Sequence, residues 1–96
     1  MAQVVYSANA LDNLGRAFAF LFEHDPSAAR DAVVAISEAV ELLARHPLIG
    51  GAIDGELREL VISFGRTGYI ALYRFLPATD QIRILAIRHQ RELDFT

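Results

Sequence analysis

The sequence contains no cysteine and no lysine, and each absence removes a class of chemistry. Without cysteine the chain forms neither a disulfide framework nor a thiolate metal site. The three histidines, His24, His46 and His89, do not have the spacing of metal ligands, so we expect no metal and no other cofactor. All nine basic residues are arginine, which a GC-rich genome would also produce, although the planar guanidinium group suits carboxylates, phosphates and guanine edges.

Long apolar runs are also missing. No stretch approaches the roughly 20 apolar residues that a membrane span needs, and the N-terminus lacks the basic start of a signal peptide. We therefore expect a cytoplasmic protein without membrane contact, folded as a single domain over residues 1–96, because this length leaves room for one core. The hydrophobic content is nevertheless 53%, which predicts an apolar surface for a partner.

Charge is distributed unevenly along the chain. The formal net charge is −3, with three arginines against seven acidic residues in 1–55 and six arginines against five acidic residues in 56–96. Any cationic surface must therefore come from the C-terminal half.

The N-terminal third predicts a strand followed by a helix. Residues 2–7 form a short apolar run with β-branched and aromatic side chains, as strands do. From Ala8 the apolar residues recur at steps of three and four, which predicts a helix to about His24 with Ser7 as its N-cap. The predicted core stripe of this helix is Leu11, Leu14, Phe18, Leu21 and Phe22.

A second helix should begin almost at once. Asp25 suits the N-cap position and Pro26 the first helical position, and the two helices should form a hairpin. This helix should end near His46 and be followed by a connecting loop over residues 46–55. Its predicted core stripe is Ala29, Val33, Ile36, Val40 and Leu43.

Three strand-like segments follow at 58–64, 68–76 and 81–89, separated by turn residues. The fold class is therefore α+β: an N-terminal strand, a two-helix hairpin and a three-stranded antiparallel meander. Both faces of the middle segment are largely apolar, so we expect helices on one face and a partner on the other. Its two faces carry Tyr69, Ala71, Tyr73 and Phe75, and Ile70, Leu72, Arg74 and Leu76.

Five features in this order carry a resemblance to a known family. They are P-x-A-A-R at 26–30, LLARHPLIG at 42–50, the pair Leu57-Arg58, YIALYR at 69–74, and His89 after the last strand. With these features the chain resembles the ParE/RelE-superfamily toxins of bacterial type II toxin–antitoxin systems, which include plasmid stabilisation proteins.

The resemblance implies a toxin held inactive by a ParD-like or RelB-like antitoxin, whose C-terminal segment wraps over the sheet and helices. ParE-like members are associated with blocking DNA gyrase, whereas RelE-like members cut messenger RNA on the ribosome. A third alternative is a non-toxic module that acts as a co-repressor and reaches operator DNA only through the antitoxin.

Metal-free RNA cleavage needs a base, a cation at the phosphate and an acid. RelE-like enzymes use Lys, Arg and a C-terminal Tyr, but this chain has no Lys, has Ile70 where they carry an Arg, and ends without Tyr. A sequence pI near 5.5 also disfavours a polyanionic target. The alternative is a nuclease set of Glu59, Arg74, Arg83 and His89.

Gyrase inhibition asks only for a shaped surface with arginine anchors, and we expect it here. Arg58, Arg74 and Arg83 can converge as an anion site or can pair with Glu56, Glu59 and the acidic residues of the second helix instead. The full set of predicted target contacts is Arg58, Arg74, Arg83, Arg88, His89 and Arg91.

Three aromatic residues are predicted antitoxin contacts. Phe20 lies off the apolar stripe of its helix, and Tyr69 and Tyr73 share a strand face, where packing is the alternative role. His24 and His46 fall at helix C-termini, where an imidazole caps carbonyl groups, and we do not expect them to be catalytic.

Overall fold

The computed structural model describes residues 1–90 of the chain. One predicted target contact, Arg91, lies outside these residues. Within them the chain forms two α-helices, five strands and a short 3-10 turn at Pro77–Thr79. The elements are β1 (Gln3–Tyr6), α1 (Ala8–His24), α2 (Pro26–Arg45), β2 (Gly51–Asp54), β3 (Leu57–Phe64), β4 (Thr67–Leu76) and β5 (Gln81–His89).

The predicted helix caps are confirmed. The Ser7 hydroxyl accepts a hydrogen bond from the Ala10 N–H at 3.0 Å at the start of α1. The Asp25 carboxylate accepts from the N–H groups of Ser27 and Ala28, both at 3.1 Å. Because these side chains occupy the first orphan N–H groups, they fix where each helix begins, and the helices can follow each other with one residue between them.

The α+β architecture is confirmed, with two differences in the sheet. Strand order is β1-β5-β4-β3-β2, and β1 runs parallel to β5, so the sheet is mixed rather than purely antiparallel. The predicted loop over 46–55 contains β2, which pairs antiparallel with β3 through Gly51↔Glu59 and Ala52↔Arg58. Its four residues are all exposed, and an exposed edge strand lacks the apolar alternation on which strand prediction depends.

The helices cover one face of the sheet and bury the core against it. Ile36, Val40 and Leu43 of α2 are fully buried and pack with Tyr73 and Ile84 of the sheet. The predicted stripe of α2 is largely confirmed, with Val33 only half-buried.

The predicted stripe of α1 was partly wrong. Leu14 and Leu21 pack against the core, but Leu11 and Phe22 are exposed at 55% and 45%. Ala10 and Asn13 are the buried residues of this helix instead. A small alanine and a polar asparagine do not register in an apolar periodicity, which is why the buried face was misplaced.

Candidate functional site on the open face of the sheet

Cross-strand register divides the sheet into a covered face, which packs on the helices, and an opposite face, here called the open face. On β4 the covered face carries Tyr69, Ala71 and Tyr73, all buried. The open face consists of three rows of residues across β3, β4 and β5: Leu57, Arg74 and Arg83; then Glu59, Leu72 and Ala86; then Val61, Ile70 and Arg88.

The open face combines apolar and cationic side chains. Val61 is 54% exposed, and Ile70 and Leu72 are half-buried without a helix above them. Three arginines and one acidic residue, Glu59, belong to the three rows of the open face, in a chain whose net charge is −3. The face is therefore locally basic and apolar, which suits recognition of a macromolecule better than a small-molecule site.

Arg74 and Arg83 are directly opposite each other on neighbouring strands. Both side chains are exposed, and Arg83 Nε donates to Gln81 Oε1 at 2.8 Å. The register thus places these two arginines side by side on the open face, and Arg58 is not part of this pair.

Arg58 lies on the covered face, opposite Tyr73. Its Nη1 donates to the carbonyl oxygens of Gly50 at 2.7 Å and Leu48 at 3.2 Å. The structure therefore assigns Arg58 to holding the loop before β2, in place of the predicted pairing with Glu56 or Glu59 or a convergence with Arg74 and Arg83.

Tyr73 holds the same loop from the buried side. Its hydroxyl donates to the Pro47 carbonyl at 2.8 Å and accepts from the Gly50 N–H at 3.0 Å. A Cβ atom on Gly50 would lie 2.6 Å from the Glu59 carbonyl oxygen and from the Tyr73 ring, so only glycine fits. Burial raises the pKa of Tyr73, while the Gly50 hydrogen bond and the Arg58 charge lower it by less.

His89 lies on the covered face, opposite Tyr69, and not with the arginine pair. Its ring meets the Tyr69 ring edge-on with centroids 5.4 Å apart, and its Nε2 is 2.9 Å from Thr67 Oγ1. The four nuclease candidates are consequently divided: Glu59, Arg74 and Arg83 share the open face, and His89 lies on the other side of the sheet.

The predicted antitoxin contacts are also divided. Phe20 is 66% exposed, as its position off the apolar stripe indicated. Tyr69 is 4% exposed and Tyr73 is fully buried, so the contact role predicted for these two tyrosines is corrected in favour of packing. At the end of α1, His24 Nδ1 lies 3.2 Å from the Phe20 carbonyl oxygen, in agreement with a capping role.

The predicted core stripe of α1 included three residues that lie outside the core cluster: Leu11 and Phe22 are exposed, and Phe18 is half-buried. Leu11, Phe18 and Phe22 follow a spacing of seven and four residues, and the Phe18 and Phe22 rings stack at 5.5 Å. The exposure of Leu11 and Phe22 accounts for part of the apolar surplus in the composition.

Comparison with known proteins identifies the family. The family described as "ParE toxin of type II toxin-antitoxin system, parDE" matches residues 4–94, nearly the whole chain. The chain belongs to the ParE toxin family. It is thus the toxin of a type II toxin–antitoxin system, whose partner is a cognate antitoxin.

Related ParE-family and RelE-named toxins span the same length. Toxin RelE3 of Caulobacter vibrioides is 36% identical over 92 residues, covering 96% of this chain and 98% of the relative. Toxin RelE2 of the same organism is 31% identical over 93 residues, covering 97% of this chain and the whole relative. A chain of the chromosomal ParDE TA system from P. aeruginosa has the same fold, with a TM-score of 0.73 at 22% identity over 93% of this chain and 96% of that one.

Two further observations concern membrane-spanning helices and metal-binding clusters. Within residues 1–90 no helix has the length and hydropathy to cross a membrane. The same residues contain no cluster of three side chains suited to binding a metal ion.

Proposed function

We propose that this toxin stops growth in the cytoplasm by binding DNA gyrase through the open face, not by cutting messenger RNA. The observation that carries the proposal is the position of His89 on the covered face, away from Glu59 and the arginine pair. General acid–base cleavage needs the base and the acid within hydrogen-bond reach of one phosphodiester. A histidine below the sheet and a carboxylate above it do not meet this requirement.

The surroundings of His89 also favour a structural role. Its Nε2 faces the Thr67 hydroxyl and its ring packs on Tyr69, so the imidazole is held in place by neighbours on the covered face. The open face instead offers apolar side chains next to exposed arginines, the combination that protein–protein recognition uses. A sequence pI near 5.5 further disfavours binding to the ribosome, because an acidic chain is repelled by the negative charge of its RNA.

The test compares the two targets directly. Purified toxin is added to a gyrase supercoiling and DNA-cleavage assay and, separately, to a translation extract in which messenger RNA cuts are mapped. We expect inhibition of gyrase, relieved by the cognate antitoxin, and intact messenger RNA. Codon-linked RNA cuts together with unaffected gyrase would reverse the proposal and favour the ribosome-dependent nuclease.

A further inference from the structure

The arginine pair on the open face has an electrostatic cost within the fold. Arg74 and Arg83 are register partners, and like charges directly opposite each other destabilise a sheet. Neither forms an ion pair with a carboxylate in residues 1–90. Glu59, the acidic residue of the next row, is the register partner of Leu72 and does not form a salt bridge with Arg74.

The pair is also arranged to donate hydrogen bonds. Gln81 accepts from Arg83 Nε, which leaves both terminal nitrogens of that guanidinium to bind a ligand. Arg74 is exposed, and no hydrogen bond within residues 1–90 occupies its side chain. Two adjacent, exposed guanidinium forks point to an anion as their ligand.

We infer that Arg74 and Arg83 bind the phosphate backbone of DNA that gyrase holds, so that the toxin binds the gyrase–DNA complex more tightly than gyrase alone. The inference rests on the proposed function. A side-chain carboxylate is satisfied by one bidentate fork, which leaves the second arginine uncompensated. A DNA strand carries one charge per nucleotide, so each arginine of the pair can contact its own phosphate oxygens.

The overall charge limits where this site can operate. With a net charge of −3 the toxin is repelled by free DNA, and two phosphate contacts are few compared with those of dedicated DNA-binding proteins. The apolar rows of the open face supply the protein contact, and the arginine pair adds a DNA contact only where gyrase presents the duplex. The toxin alone should therefore not retain a DNA duplex in a gel-shift assay at physiological salt.

The test measures toxin binding to gyrase with and without a DNA duplex, at about 50 and 200 mM salt. The variants are R74Q/R83Q, which removes both charges, R74K/R83K, which keeps the charges but removes the forks, and R66Q as a control in the exposed β3–β4 turn. Thermal melting checks that each variant folds. Because R74Q/R83Q removes two like charges that face each other, the substitutions should not destabilise the fold.

With DNA present, we expect the salt increase to weaken gyrase binding by the wild type about 12-fold more than binding by R74Q/R83Q. This is the difference that the loss of two phosphate contacts predicts. R74K/R83K should keep the wild-type salt dependence, R66Q should match the wild type, and without DNA all proteins should bind alike. If R74Q/R83Q lost the same amount of gyrase affinity without DNA as with it, the pair would bind carboxylates of gyrase. If the salt dependence of R74Q/R83Q binding with DNA equalled that of the wild type, the pair would not contact phosphates. Both outcomes overturn the inference while gyrase inhibition persists, whereas wild-type toxin that never binds gyrase overturns the proposed function itself.

Discussion

Arg83 and His89 are six residues apart on β5, yet their side chains lie on opposite faces of the sheet. An even separation in a regular strand places two residues on the same face. Here Ile84 pairs with Tyr73 and Ala86 with Leu72, so Leu85 is an extra residue and inverts the alternation beyond it. This bulge separates the histidine from the open face and thereby argues for binding over cleavage.

The first prediction concerns His89→Ala. It removes an edge-on contact with Tyr69 and the contact with Thr67, which should lower the free energy of unfolding by about 1–2 kcal/mol in urea denaturation. Growth arrest by the folded variant should persist, because the open face is unchanged. A folded His89→Ala toxin that no longer arrests growth would contradict the structural role of His89. Glu59→Gln, which alters the open face without removing a positive charge, serves as the second probe.

The second prediction concerns the loop at residues 47–50. Tyr73→Phe keeps the ring but leaves the half-buried Pro47 carbonyl and the buried Gly50 N–H without their partner, which should cost about 1–3 kcal/mol of unfolding free energy. The Gly50 amide should also exchange faster with deuterium. Unaltered stability and exchange in Tyr73→Phe would show that Arg58 holds the loop alone.

A glycine pair supplies the matched control for this loop. Gly50→Ala forces a Cβ against the Glu59 carbonyl, whereas a Cβ at Gly51 meets nothing within 4 Å. Only the first substitution should destabilise the protein strongly, and equal effects would count against the close approach.

The third prediction is a loss of stability at alkaline pH that tyrosine controls. The chain has no Lys or Cys, so its tyrosines are the side chains that titrate between about pH 9 and 11. Burial and the Glu41 charge raise the pKa of Tyr6 above 10.0, against a smaller opposing hydrogen bond from Ser37, and burial raises that of Tyr73. Because the folded-state pKa lies above the unfolded value, each tyrosine contributes stability that is fully present below pH 10. This contribution is lost as the pH rises through the folded-state pKa.

Urea denaturation at a series of pH values up to about 11 checks this. The unfolding free energy should fall above pH 10, and Tyr6→Phe and Tyr73→Phe should each make that fall shallower. Parallel curves for wild type and both variants would contradict the linkage.

Local chemistry explains which parts of the fold the sequence predicted. Ser7 and Asp25 cap their helices through contacts within three residues, so sequence alone was sufficient to place α1 and α2. Pairing between distant segments was not visible in the same way. The parallel contact of β1 with β5 joins Tyr6 to Ile84, and no local pattern encodes a partner so far along the chain.

The same limit applies to the site. Beyond the end of β1, side chains at the start of α1 form hydrogen bonds with the edge of β5. Asn13 Oδ1 accepts from the Ile87 N–H at 3.0 Å. The Ser7 and Asn9 side chains donate to the Leu85 carbonyl, both at 3.1 Å. These tertiary bonds lie at the bulge at Leu85, which shifts the alternation of β5, so the relative faces of Arg83 and His89 could not be read from alternation alone. Arg74 and Arg83 lie on the regular part of the ladder, where the cross-strand register brings them together.

The last prediction concerns antitoxin binding at Phe20. A phenylalanine 66% exposed contributes little to the core, so Phe20→Ser should leave stability nearly unchanged and toxicity intact. If this ring is an anchor for the antitoxin, its loss should weaken binding about 30-fold or more in calorimetric titration, the scale of an interface hot spot. Phe22→Ser is the control, because Phe22 is also exposed but projects from a different side of α1 and stacks on Phe18. Strong loss for Phe22→Ser with none for Phe20→Ser would move the antitoxin to the outward stripe of Leu11, Phe18 and Phe22.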